Sequence, residues 1–156
     1  MNSLEVFLLQ LMMSLFVYTL FAKWALAPWL DTQKHKIALM ILIAPHATRH
    51  VGLSFLVPSI TNPDLPESFA LAAAYGDFIS AILAIIALFA LRHSWKVAPA
   101  IVWTFSIVGL VDLINALRQA DVVPLLEGTW YIPTFWVPLL LVTHLMIIAR
   151  LMARKI

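Results

Sequence analysis

The stretch APHATRHVGLSFLV, residues 44–57, decides how this chain is read. It is the later part of an apolar run over 37–57, long enough to cross a bilayer, yet it carries Arg49 between His46 and His50. A charge at the bilayer centre costs about 2.5–3.5 kcal/mol on insertion scales. The arginine therefore needs a partner: an opposite charge, a ligand or trapped water. Two aspartates stand in similar surroundings, Asp77 in the run 69–91 and Asp112 in the run 98–117. Those three residues point to a small polytopic membrane protein with a polar centre.

Composition agrees. Of 156 residues, 63% are hydrophobic and 12% charged, against about 45–50% and about 25% in soluble domains. A soluble core of this size has no way to hide so much apolar surface, so the bilayer is the expected solvent. The net charge is +2, and no Lys/Arg cluster is long enough for a nucleic-acid surface. Cysteine is absent. That excludes disulfides, thiolate metal sites, iron–sulfur clusters and covalently attached haem. The motifs G-x-S-x-G, G-x-x-x-x-G-K-[ST], H-E-x-x-H and G-x-G-x-x-G are all missing, which disfavours soluble enzyme chemistry.

Five runs approach or exceed the roughly 20 residues that span hydrocarbon: 4–27, 37–57, 69–91, 98–117 and 131–152. They predict an all-α bundle of five transmembrane helices forming one domain over 1–156. Residues 1–10 carry Glu5 and no Lys or Arg, so the first run reads as a retained span rather than a signal peptide. Lys34 and Lys36 lie in the first connection, Arg92 and Lys96 in the third, and Arg150, Arg154 and Lys155 at the C-terminal end. The second connection holds Asp64 and Glu67, and the fourth holds Asp121 and Glu127, with Arg118 at its edge. The positive-inside rule then predicts the N-terminus outside and the C-terminus cytoplasmic. Trp24, Trp29, Trp95, Trp130, Tyr131 and Trp136 fall near the predicted interfaces, as an aromatic belt does.

Pro45 removes a backbone donor and predicts a kink in the second span. Read as an α-helix, this span puts His46, Arg49, His50 and Leu53 on one face. The third span offers a small-residue stripe of Ala70, Ala73, Ala74, Asp77, Ser80, Ala81, Ala84 and Ala87, suited to close helix approach. Asp77 in its middle is the expected partner of Arg49. The same stripe is a candidate interface for a second copy. In the fourth span Gly109, Asp112, Asn115 and Ala116 share a face. His144 in the fifth stands among Leu140, Leu141, Ile147 and Ile148, beside Thr143, and reads as a satisfied interior histidine.

The candidate ligand- or proton-binding set is therefore His46, Arg49, His50, Asp77, Asp112 and Asn115. One guanidinium against two carboxylates leaves −1, to be balanced by a proton, a cationic histidine or a bound cation. Arg49 is the candidate anchor for an anionic group. The i, i+4 spacing of His46 and His50 also suits a metal, with Asp77 or Asp112 completing the ligands, although a nearby guanidinium disfavours a second cation. Haem would need His144 as an axial partner. No cofactor is predicted.

The segments PHATRHVGLSFLVP, AAAYGD and VGLVDLINA resemble a group of small bacterial integral membrane proteins. The likeness covers about 44–116 and implies a multi-pass protein of the bacterial inner membrane, with no activity to transfer. The reading is an integral membrane protein that binds, and in one version transports, a small anionic or protonatable ligand. The alternatives are a membrane-embedded metal or haem redox protein, and an accessory subunit of a membrane complex. The expected partners are lipid, a small ligand, and a second copy or a larger complex.

Overall fold

A computed structural model describes residues 1–153; Arg154 and Lys155, two of the predicted C-terminal cations, lie outside the described residues. Among the described residues five helical stretches are long and apolar enough to cross a membrane. They are Ser3–Asp31, His35–Leu56, Glu67–Arg92, Ala98–Leu117 and Glu127–Ala153, here called the first to fifth spans. All five expected runs are present, extended at most four residues at their ends. The first begins with a capping box: the Asn2 side chain accepts from the Glu5 N–H at 2.9 Å, and the Glu5 carboxylate accepts from the Asn2 N–H at 3.0 Å.

Prolines shape three spans. Pro28 and Pro138 lack the N–H that a regular helix uses, and their rings crowd the carbonyl four residues back. In both spans a π-helical turn precedes the proline, Ala22–Leu26 in the first and Ile132–Trp136 in the fifth. There the Ala27 N–H reaches the Ala22 carbonyl and the Val137 N–H reaches the Ile132 carbonyl. The extra residue in each turn re-satisfies backbone groups that lipid cannot.

Pro45 acts differently. The second span is α-helical over His35–Ile43 and then 3-10 over Ala44–Leu56. A 3-10 helix turns every three residues and rises about 2.0 Å per residue, so i and i+3 eclipse. Its buried residues are His46, Arg49, Gly52 and Phe55, one every three. This corrects the α-helical face read from the sequence. Arg49 keeps its inward place, but His50, four on from His46, is rotated by roughly 120° and lies exposed. Runs this long are uncommon; these 13 residues climb about 26 Å where an α-helix climbs about 20 Å.

The third span is the hub, packing mainly against the 3-10 segment and the fourth span. All eight residues of its small stripe are buried there. The stripe is thus consumed inside the chain, which corrects its assignment as an interface for a second copy: small residues bring backbones together, and the neighbouring spans take that space. Two larger apolar cores result, with a smaller cluster of Leu113, Val137 and Leu140 among the described residues. One gathers Leu39, Leu42, Ala84, Val102, Phe105 and Ile147, the other Phe7, Phe55, Phe69, Ala73, Val122 and Leu126. Asp77 and Ser80 lie between their contributions to the two cores. The first span is peripheral, burying Phe7, Ala22 and Leu30 while Met12, Phe16 and Trp24 stay exposed.

The connections gather at two ends. Lys36 donates to the Arg92 carbonyl at 3.3 Å and to Ser94 at 3.0 Å, and Arg150 pairs with Asp31 at 2.8 Å. Asn62 donates to Glu127 at 2.9 Å, and the Gly128 N–H donates to the Ile60 carbonyl at 2.9 Å. The basic connections thus share one end and the acidic ones the other. Because the chain has no cysteine, Asp64→Cys and Ser94→Cys report cleanly on the two ends. In sealed vesicles an impermeant thiol reagent is expected to label one and spare the other; labelling of both from the same side would contradict the five-span arrangement.

Candidate functional site

Between the two cores lies a polar layer. Arg49 is completely buried and makes three hydrogen bonds to two other spans. Its Nε–H donates to Asp77 Oδ1 at 2.7 Å, its Nη2 to Asp112 Oδ2 at 2.5 Å, and its Nη1 to the Gly109 carbonyl at 3.2 Å. The expected Arg49–Asp77 pair is present, and Asp112 makes it a trio. Breaking a buried pair by removing one partner costs about 3–5 kcal/mol, because the other charge is stranded. Here one guanidinium serves two carboxylates, so its loss strands both.

Glycines allow the approach. A Cβ on Gly52 would overlap the Asp77 carboxyl, and one on Gly76 would overlap the Asp112 carboxyl. A Cβ on Gly109 would lie 2.7 Å from His144 Nε2 and 3.0 Å from Arg49 Nη1. Three of the four glycines are therefore spent on this layer. The sequence reading put Gly109 on a face with Asp112 but gave no glycine a role at the site. Their signal was spacing, Gly52 and Gly109 three residues from Arg49 and Asp112, and Gly76 beside Asp77, on spans otherwise poor in glycine.

Two histidines lie against the trio. His46 and His144 are both fully buried, with ring centroids 4.0 Å apart, and each packs on Phe105 at 5.0 and 5.1 Å. His46 Nε2 meets the Thr143 hydroxyl at 2.9 Å, while that hydroxyl donates to the Leu139 carbonyl at 2.9 Å. The same hydroxyl also lies 3.1 Å from the Leu140 carbonyl. Nδ1 of His46, both ring nitrogens of His144 and the Ser80 and Ser106 hydroxyls have no hydrogen-bond partner among the described residues. His144 is thus interior but not satisfied, contrary to the sequence reading. His50 points away, with Nδ1 3.3 Å from the Ala47 carbonyl. Asn115 is exposed and outside the trio. Among the described residues no three His, Asp or Glu side chains are grouped as a metal site; His50 turns away from His46, and Arg49 already holds both aspartates.

A cavity of about 100 Å³ opens beside the trio, walled by all five spans, the second through Phe55, and roofed by the 3-10 turn Ala120–Leu125. Among the described residues Asp77 and Asp112 are its only charged lining residues, and Arg49 is not on its wall. The rest of the wall is apolar, apart from Gln119. The guanidinium therefore faces protein acceptors while the carboxylates face the space. Asp112 also borders an outer groove between the third and fourth spans, with Gly76, Val111 and Arg118.

Over residues 6–152 the chain matches the family described as Domain of unknown function (DUF8737), and it belongs to that family. No curated protein and no solved structure matches it.

Replacing a helical glycine by alanine ordinarily favours the helix by roughly 0.5–1 kcal/mol. Overpacking a filled interior costs about 1–3 kcal/mol. The second effect wins where the methyl must displace a bonded carboxylate. Gly76→Ala and Gly109→Ala are therefore expected to lower the thermal unfolding midpoint of the purified protein. Midpoints unchanged or raised in both variants would show slack around Asp112 and His144.

Proposed function

We propose that this chain is a multi-pass membrane protein whose Arg49–Asp77–Asp112 centre binds, and exchanges with one side of the membrane, a proton or a small protonatable ligand. One observation supports this most: a single guanidinium is shared by two carboxylates, and both carboxylates line the cavity. Formal charges in the trio sum to −1. Desolvated charge is costly in an apolar interior, so the remaining unit of charge calls for a proton or a cationic ligand. Ionisable residues inside a membrane are functional candidates by default. The 3-10 segment supports the reading, since interrupted helices recur at midplane sites of transporters.

On this reading Asp112, which touches both the cavity and the outer groove, is the exchanging carboxylate. Asp77, more deeply buried, orients Arg49. The positive-inside rule puts the end bearing Lys34, Lys36, Arg92 and Lys96 in the cytoplasm and the cavity end outside, with the N-terminus outside. The resemblance noted for 44–116 supports a bacterial inner membrane as the location.

A second reading is favoured by the saturation of Arg49: the trio is a lock that holds three spans in register, as in an accessory subunit. Infrared difference spectroscopy separates the two. Between alkaline and mildly acidic buffer, the exchange reading expects a protonated carboxyl band that grows in the wild type and is lost in Asp112→Asn. A register lock expects Asp112→Asn to lower the unfolding midpoint with no titrating band in the wild type, and that result would remove the exchange reading.

A further inference from the structure

We infer that the cavity beside the trio takes a lipophilic monocation, an ammonium on a small apolar body, in exchange for a proton. This rests on the protonatable-centre reading and names the ligand class for it. The wall decides the sign of the ligand. An anion would meet two carboxylates, because every Arg49 hydrogen bond runs to a protein acceptor and the guanidinium is off the wall. Asp77 is 7% exposed. Its Oδ1 takes the Arg49 Nε–H, and its carboxyl stands on the cavity wall. A cation finds charge here that the protein has left unmatched.

The wall also decides the body of the ligand. Phe7, Phe55 and Phe69 stand on it together with Leu113 and Val137. Aromatic rings attract ammonium groups through their quadrupole, more strongly where water is excluded. Neither His46 nor His144 lines the space, and among the described residues Gln119 is its one uncharged polar side chain. A strongly hydrated inorganic ion would find too few oxygens to replace its water, since calcium takes six to eight and magnesium six. A quaternary ammonium has no N–H to hydrate, so it loses little hydration and gains apolar contact. At about 100 Å³ the cavity is small beside sites for drug-sized molecules, which run to about 300–1,000 Å³. This selects a small amine.

Charge balance then couples the ligand to a proton. In the empty site the carboxyl O–H of Asp112 neutralises the extra charge. When the cation arrives, that O–H bond breaks, the proton leaves to water, and the ammonium takes its place. No covalent bond to the ligand forms. One cation in releases one proton.

The test uses the full chain in phosphatidylglycerol nanodiscs, where no lipid supplies an ammonium headgroup. The probes are benzyltrimethylammonium, its neutral isostere neopentylbenzene, and benzenesulfonate. Calorimetric titration is expected to show saturable binding of the cation, at least tenfold tighter than either other probe. In weakly buffered solution a pH dye should report about one proton released per cation bound. Asp112→Asn should weaken cation binding tenfold or more and abolish the proton release. Ala120→Phe, on the 3-10 turn that roofs the cavity, should abolish binding while the infrared carboxyl band still titrates; it serves as the test if Asp112→Asn fails to fold. A wild type with a titrating band that binds no cation, or binds cation and isostere alike, overturns this inference and leaves the proton-binding reading standing. Absence of both the band and cation binding overturns both.

Discussion

The structure depends on one guanidinium divided between two carboxylates in a place where water is scarce. Arg49 comes from the second span, Asp77 from the third and Asp112 from the fourth, and three hydrogen bonds tie those spans at one depth. In water an exposed ion pair is worth about 0–1 kcal/mol. In an apolar interior the comparison is with a stranded charge, and the interaction becomes obligatory. Short contacts also need backbones close together. The glycines at 52, 76 and 109 provide that closeness at the three points where a carboxyl or imidazole group meets a neighbouring helix.

The 3-10 segment follows from the same constraint. A period of three puts His46, Arg49, Gly52 and Phe55 in one line along the third span's small stripe. That line runs from the histidine pair through the ion trio to the aromatic wall of the cavity. With an α-helical period the line would drift away from the stripe, and His50 would share the interior with Arg49. Pro45 sets the change of helix type, and the bonding of Arg49 provides a reason for it to persist over 13 residues.

Polarity is layered. An apolar core at each end encloses a middle that holds the trio, two histidine rings packed at a tilt and several polar atoms without partners among the described residues. Unpaired buried polar atoms are costly, and their concentration at one depth sets this layer apart from simple packing glue. On the cavity side the layer presents carboxylate and hydrocarbon together.

Much of this was legible in the chain. Five apolar runs, their alternating charged connections and the rarity of intramembrane charge sufficed for the helix count, the two kinds of end and the meeting of Arg49 with Asp77, because transfer energies depend on composition and length. The fate of His50 was not legible: a sequence does not state whether a proline is followed by a turn of 3.6 residues or of three, and the choice moves that side chain from interior to surface. Asp112 was in the expected set, but its bond to Arg49 and the places of Gly109 and His144 beside it were not legible, since which faces of separate spans meet depends on packing between residues about 60 to 100 positions apart. The sequence by itself determined that buried charge must be matched; only the tertiary structure decided that Arg49 would spend its donors on protein and leave two carboxylates facing a cavity, because that depends on which side of each helix is walled and which is left open.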